Sequence, residues 1–418
     1  MRLIVQKYGG TSVGTPERIC KVARRLIETQ RQGCQVVAVI SAMAGVTDSL
    51  LKLAQQVSPQ REPTARELDI LLSTGEHAAS ALVAMAVNAL GGRAISLTGA
   101  QAGILTDHRH TRARIANISP KQIQELLADD YIVVVAGFQG QTPEGETTTL
   151  GRGGSDLTAI ALAGALSADA CQIFTDVDGV FTCDPRVVPE AKKLSEIAYD
   201  ELLEMAGSGA KVMQSRAVEF AKKFGVEFEV RSSFNRRRGT IAREETPSME
   251  DVLVRGIGLD RNQAKLTITG VPDRPGIAGR IFSDVAAAHI IVDMIVQSAP
   301  ISGATDISFT IHEGELENAR TILMPVVGQI GAKRLNTASG LAKLSVVGIG
   351  MRSHSGVAAR MFECLGRAGI NIQLVSTSEI KIAVIIDQRE AERAARLIHA
   401  AFGMGRLVPA ASMAQPLA

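Results

Sequence analysis

The sequence predicts an α/β protein in two parts: a largely parallel sheet sandwiched by helices, followed by two ferredoxin-like βαββαβ modules. Three observations carry this. The runs Val36-Val37-Ala38-Val39-Ile40 and Ile132-Val133-Val134-Val135-Ala136-Gly137-Phe138 are unbroken and apolar, as in strands buried on both faces of a parallel sheet. Gly151-Arg152-Gly153-Gly154-Ser155-Asp156 runs straight into apolar residues 157–163, a loop-to-helix junction. Gly276-Ile277-Ala278-Gly279-Arg280-Ile281-Phe282 returns as Gly356-Val357-Ala358-Ala359-Arg360-Met361-Phe362 at an offset of 80 residues, and internal repeats of this kind mark stacked small modules.

The first part follows in order. Leu3-Ile4-Val5 is a short strand running into Lys7-Tyr8-Gly9-Gly10-Thr11-Ser12. A helix opens at Thr15-Pro16-Glu17, with Thr15 as N-cap and Pro16 in the first helical position. Its apolar face is Ile19, Val22, Ala23, Leu26 and Ile27, and Gly33 ends it. The strand at 36–40 delivers Ser41-Ala42-Met43-Ala44-Gly45-Val46-Thr47-Asp48. Both strand ends of this βαβ unit thus carry small and hydroxyl residues, where open α/β sheets bind ligands. Helix covers roughly residues 63–90 and contains Ser73-Thr74-Gly75-Glu76-His77. Glu76 in an apolar stretch needs a partner, which either a ligand ammonium or a structural Arg or Lys supplies.

In the 151–156 loop the glycines permit a tight turn and close approach to a ligand. Ser155 or Asp156 caps the helix that follows, and its positive end favours an anion. Arg152 adds a bidentate donor suited to a carboxylate. A plain glycine turn before a core helix fits the same residues. Further on, the strand ending at Thr175-Asp176 leads into turns holding Asp178, Asp184 and Arg186, which fit a nucleotide's ribose and phosphates as well as ordinary turn chemistry. Lys211 stands at the start of a helix containing Val212, Ala217, Phe220, Ala221 and Phe224, where it opposes the dipole unless an anion is near. GxxxxGK[ST] and the kinase GxGxxG are both missing. Phosphoryl transfer here would rest on Lys7, the amides of Gly9 and Gly10, and the 151–155 loop as electrostatic clamps.

The totals agree. At 418 residues the chain is long enough for two or more domains of roughly 150 residues. A net charge of +2 and no long basic stripe argue against nucleic acid as a partner, and Arg236-Arg237-Arg238 reads as a solvated loop. Five cysteines, odd in number and without a CxxC pair, and a start without a signal peptide, imply reduced thiols and a cytoplasmic location. The apolar stretch 78–90 contains Asn88 and falls short of the ~20 residues that span a bilayer. The seven histidines show no metal-ligand spacing.

KYGGTS, SAMAGVTD, STGE, GRGGSD, TDVDGVFTCDPR and GAK occur in the order found in aspartate kinases, and the chain resembles that family over essentially its whole length. The resemblance implies the amino-acid kinase fold over residues 1–248. It implies that Lys7 neutralises charge on the transferred phosphoryl group and that Asp156 orients Lys7. Arg152 would bind the α-carboxylate of L-aspartate and Glu76 its ammonium, with Ser41, Thr47 and Ser155 lining the pocket. Lys7, Gly9, Gly10, Thr175, Asp176, Asp184, Arg186 and Lys211 would face ATP, whose phosphates hold Mg2+, so no protein metal ligands are expected. Phe181 stands where many members carry Tyr, which removes a hydroxyl contact to the nucleotide.

The second part changes character near Met249. Residues 252–257 and 264–270 look like strands, 266–270 pairs with 346–350 in the repeat, and 305–311 and 380–386 supply further strands. A duplicated dimerisation domain fits this pattern. Asp273-Arg274-Pro275-Gly276-Ile277-Ala278 and Asn371-Ile372 resemble ACT-domain motifs, implying modules at 249–340 and 341–418 with strands exchangeable between them. Lysine and/or threonine would bind at Asp273, Ile277, Ala278, Asp293, Gln297, Asn371 and Ile372. The whole reads as a feedback-inhibited aspartate kinase, making 4-phospho-L-aspartate in the first step of lysine, threonine and methionine biosynthesis. The alternatives are a kinase acting on glutamate or N-acetylglutamate, and an inactive amino-acid sensor. A homo-oligomer through the ACT modules is expected. A separate regulatory subunit beginning at Met249 also fits.

Overall fold

A computed structural model describes residues 1–60, 63–209, 213–244, 253–352 and 354–405. The chain forms two compact units. The first comprises Met1–Val180, Lys193–Leu203 and Lys211–Thr246, and the second Phe181–Lys192, Glu204–Ala210 and Pro247–Ala418.

The first unit is built on an eight-stranded sheet. Its strands run across the sheet as Glu196–Ala198, Thr240–Arg243, Phe228–Ser232, Ala170–Thr175, Arg2–Tyr8, Cys34–Ile40, Ile132–Ala136 and Ala94–Leu97. All neighbours are parallel except Phe228–Ser232 with Thr240–Arg243. Ile132–Ala136 is buried throughout and Cys34–Ile40 from Val36 onward, which explains their apolar runs. A four-stranded sheet holds Ile115–Ile118, Ile104–Thr106, Gln139–Gln141 and Thr147–Thr149.

Helix Pro16–Arg31 forms as its sequence dictates. The Thr15 hydroxyl accepts from Arg18 N, Pro16 occupies the first position, and Ile19, Val22, Ala23, Leu26 and Ile27 are buried. The long helix Ala65–Ala89 has the length and apolar composition to cross a membrane, but half of its most apolar window is buried in the protein. Its buried residues include Asp69, Ser73, Glu76 and Ser80, one to two turns apart on one face. That polar stripe suits a core helix beside a site and would be costly in lipid.

The helix after the glycine loop, Gly154–Ala165, corrects one expectation. Its N-cap is Gly153 in the left-handed region, with no side-chain cap. Ser155 and Asp156 lie inside the first turn and are buried, so neither caps it. Gly153 is required twice over: its φ is +68°, and a Cβ there would lie 1.8 Å from Gln214 Cγ.

The second unit is one six-stranded antiparallel sheet in the order Val292–Gln297, Ala304–His312, Gly256–Pro272, Arg334–Val347, Lys381–Asp387 and Leu374–Thr377. Helices Ile277–Ala287 and Val357–Arg367 keep the repeat spacing, each starting from a left-handed glycine, Gly276 or Gly356. The match of 346–350 to 266–270 fails beyond Val347, where the strand ends and a 3-10 turn, Ile349–Arg352, follows. The short strands expected at 252–257 and 264–270 are one continuous strand from Gly256.

That continuity makes two cores share one strand. Ala264, Leu266 and Ile268 pack with Ile281, Phe309 and Leu323, while Ile257 packs with Leu344, Val346, Met361 and Ile398. The register agrees: Gly256–Asp260 pairs with Val347–Lys343, and Lys265–Thr269 with Ala338–Arg334. The strand that opens the first module therefore begins by completing the second.

Truncating Ile257 to Ala should cost about 2–5 kcal/mol. Amide exchange should show the loss in strands Arg334–Val347 and Lys381–Asp387, whereas Ile268→Ala should loosen Ala304–His312 instead.

Candidate active site

The sheet delivers its functional residues at the carboxyl ends of adjacent strands. Lys7 is the penultimate residue of Arg2–Tyr8, opposite Val39 on one side and Ile173 on the other. Its Nζ pairs with Asp156 Oδ1 at 2.6 Å, with about a tenth of each side chain exposed. Taking two charges out of water for one ion pair rarely adds net stability, so this pair points to a task. Burial, assisted by Asp156, also raises the Cys171 thiol far above its ordinary pKa.

The loops above those strand ends are packed to the backbone. Ser41 N donates to Tyr8 O at 3.1 Å, Ala44 N to Gly10 O at 3.2 Å, and Gly137 N to Ile40 O at 2.9 Å. A Cβ on Gly10 would lie 2.7 Å from Ala42 O, so only glycine allows this approach. Gly9 N donates to Phe174 O at 3.2 Å. Its amide is thereby engaged within the protein, contrary to the expected phosphate clamp. Ser155 abuts Gly137, and Thr47 sits half-buried in the first turn of helix Val46–Val57.

Glu76 is buried, with 5% of its surface exposed. Its Oε1 accepts from Ala42 N at 3.0 Å, while Oε2 is buried and has no partner among the described residues. Among the described residues no Arg or Lys pairs with it. Burial pushes its pKa up to about 7, against the opposing pull of the Ala42 amide. Arg152 is exposed, and among the described residues it makes no hydrogen bond or ion pair. One free guanidinium and one unpaired carboxylate oxygen are complementary to a zwitterion.

Asp69, two turns before Glu76, was missed by the sequence reading. Fully buried, it accepts from Thr111 N at 3.0 Å, Thr149 Oγ1 at 2.5 Å and His110 Nδ1 at 2.8 Å. Thr111 has φ +65°, and its carbonyl would lie 3.1 Å from a Cβ on Gly151. Arg216 donates to Leu150 O at 2.7 Å and Ala113 O at 2.6 Å. Asp69 and Arg216 thus fix the chain entering the 151–156 loop, at Thr149 and Leu150, and the 111–113 segment beside it. The spacing of Asp69 to Glu76 on an apolar helix was the available signal.

Thr175 Oγ1 donates to Asp176 at 3.2 Å, both at a strand end of the first unit. Asp184 and Arg186 fall in the second unit, where Arg186 forks onto Asp184 at 3.0 and 2.8 Å and holds its carboxyl below the usual range. Phe181 is half-buried there as well. Lys211 lies outside the described residues, and the helix expected at it starts at Ser215. Among the described residues no group of three His, Cys, Asp or Glu could hold a metal.

In the second unit, Asp273 is exposed, and its amide donates to Gly303 O at 3.0 Å. Ile277 opens helix Ile277–Ala287 half-buried against the first module's core, with Ala278 exposed beside it. Gln297 and Asn371 are exposed, and Ile372 packs on the second core. Asp293 has a partner of its own: it pairs with Lys343, which is 2% exposed and also donates to Gly207 O at 3.1 Å.

A sheet with charged groups at its carboxyl edge, a glycine loop opening a buried helix, and a duplicated βαββαβ unit define an amino-acid kinase carrying regulatory modules. The amino acid kinase family model matches residues 2–232, and an ACT domain model matches residues 266–324 and 344–402. The aspartate kinase of Stutzerimonas stutzeri is 51% identical over 403 residues, 96% of this chain and 97% of its own. Aspartokinase III of E. coli, solved with aspartate and ADP in its R-state, superposes with a TM-score of 0.78 at 26% identity, covering 96% of this chain and 99% of its own. Its T-state complex with lysine and aspartate gives a TM-score of 0.76 at 26% identity, covering 95% and 99%. The chain belongs to the aspartate kinases of the amino acid kinase family.

Asp69→Asn exchanges a carboxylate with three donor groups for a neutral amide and should cost about 1–3 kcal/mol. Urea denaturation checks this, and the Thr111 amide should lose exchange protection.

Proposed function

We propose that this chain transfers the γ-phosphoryl group of ATP to the side-chain carboxylate of L-aspartate, giving 4-phospho-L-aspartate under feedback control. The observation that carries a free amino acid over an N-acetylated one is Glu76: a buried carboxylate with one oxygen unpaired is matched by a free ammonium and not by an acetylated amine. Arg152 would take the α-carboxylate, with Ser41, Thr47 and Ser155 lining the pocket. The side-chain carboxylate then attacks phosphorus in line, and ADP leaves. Lys7 sits where negative charge develops on the transferred group, and Asp156 holds its ammonium there. Nothing here requires a general base, because aspartate is already ionised at neutral pH.

Thr175, Asp176, Asp184, Arg186 and Lys211 are the proposed nucleotide contacts. Mg2+ would be carried by the nucleotide phosphates, whose charge it would screen. Residues 1–248 are the proposed catalytic domain, with ACT modules at 249–340 and 341–418 that bind lysine and/or threonine and pair copies of the chain. Binding there can inhibit only by favouring one global state over another.

Trapping acyl phosphate as hydroxamate tests the reading directly. With MgATP, aspartate should turn over, glutamate and N-acetylglutamate should not, and lysine plus threonine should suppress the reaction. Turnover on another acid would overturn the substrate. The Glu76 assignment has its own signature. Because its carboxyl in the folded protein titrates near 7, well above the ordinary value, it is largely protonated below that pH and must lose the proton to pair with an ammonium. KM for aspartate should therefore rise up to about tenfold per pH unit below 7. Glu76→Gln should raise KM roughly 10- to 100-fold and flatten that profile. By the same shift the unliganded fold binds the extra proton, so Glu76 costs stability as pH rises from about 4.5 to about 7, a loss that Gln should remove.

A further inference from the structure

The first unit holds a strongly cationic cavity whose lining the phosphoryl-transfer reading does not use. It encloses about 340 Å³ between one face of helix Pro16–Arg31 and residues 233–236. None of the proposed aspartate or nucleotide contacts lines it.

Arg18, Lys21, Arg24 and Arg25 line it from the helix, and Arg236 from the facing loop. The acid among the lining residues is Glu28, and Arg236 consumes it with bonds of 3.0 and 2.8 Å. Among the described residues Lys21, Arg24 and Arg25 form no ion pair. Like charges three and four residues apart on a helix repel, so this stripe weakens the helix that carries it.

The guanidinium of Arg25 is the most constrained. It lies 4.8 Å over the Phe174 ring, its Nη2 donates to Asn235 O at 2.9 Å, and its buried Nη1 has no hydrogen-bond partner among the described residues. Burial above all, with the nearby charges of Arg231 and Arg236, lowers its pKa against the opposing pull of Tyr8 and Glu28. Arg18 is fixed too, donating to Thr11 O at 2.7 Å and lying 5.0 Å over Phe234, a half-exposed ring at the rim. Arg18, Arg25 and Arg236 are thus held in place by protein groups, and Lys21 and Arg24 reach solvent beside them without an ion pair among the described residues.

We propose that this cavity binds a small anion carrying a di- or triphosphate group, either free polyphosphate or the phosphate tail of a nucleotide. Forked guanidiniums match phosphate oxygens in pairs, and several phosphate charges are needed to balance this many cations. The volume lies at the small end of the range for small-molecule sites and excludes a folded partner.

The test is titration calorimetry of the full chain with inorganic tripolyphosphate, without Mg2+, on wild type, Lys7→Ala and the double variant Lys21→Ala/Arg24→Ala. Lys21 and Arg24 are exposed, so the double variant should keep its melting temperature. Wild type and Lys7→Ala should bind alike, and the double variant roughly tenfold or more weakly. No binding to wild type tighter than about 1 mM, or loss in Lys7→Ala with none in the double variant, would overturn the proposal. ADP titrated into Lys7→Ala separates the sources. Affinity equal to that of pyrophosphate assigns the site to phosphate alone, and tighter binding that weakens in Phe234→Ala assigns the base to that ring.

Discussion

The ion pair between Lys7 and Asp156 is the constraint on which the first unit depends. One partner comes from the central strand and the other from the first turn of the helix after the glycine loop. Holding them together requires the strand end, the loop and the helix start to meet with little tolerance. Glycine at 10, 137 and 153 makes that meeting sterically possible, and each removes a side chain that would otherwise separate the backbones. The buried pair costs desolvation, and under the proposed function the fold bears that cost where charge would be stabilised during reaction.

Around it, the long helix Ala65–Ala89 does two jobs with one buried polar stripe. Glu76 presents an unpaired oxygen, a destabilising arrangement until a cation arrives, while Asp69 is saturated with donors and fixes the approach to the glycine loop. A satisfied carboxylate gives rigidity, and the unsatisfied one is what the proposed substrate ammonium would meet. Arg216 completes the frame by holding the carbonyls of Leu150 and Ala113. Arg152, two residues beyond this anchored stretch, is exposed and makes no hydrogen bond or ion pair among the described residues. In the second unit Lys343 plays a comparable organising role, buried between Asp293 and the Gly207 carbonyl.

Much of this was legible in the sequence because its causes are local. Thr15, Pro16 and the apolar positions after them specify a helix without reference to the rest of the chain, and residues 36–40 and 132–136 are apolar because both their faces are buried. The repeat at 276–282 and 356–362 was visible for the same reason: each copy needs the same left-handed glycine and apolar face. What escaped was long-range. Asp69 binds residues some forty to eighty positions away, and nothing in its neighbourhood names them. The helix cap went to Gly153 rather than Ser155 or Asp156 because burial of those two side chains in the first turn outweighed capping propensity. Gly256–Asp260 serves the second core because its partners lie some ninety residues on, a pairing that periodicity cannot assign.

Steady-state kinetics of Asp156→Asn tests the central claim most directly. The substitution keeps size and shape but removes the charge that holds Lys7. If the ion pair aims Lys7 at the transferred phosphoryl group, kcat should fall about 10²- to 10³-fold while KM for aspartate changes little and the protein stays folded. A kcat within about twofold of wild type would mean that Lys7 needs no such partner, and the account of the site built on that pair would be wrong.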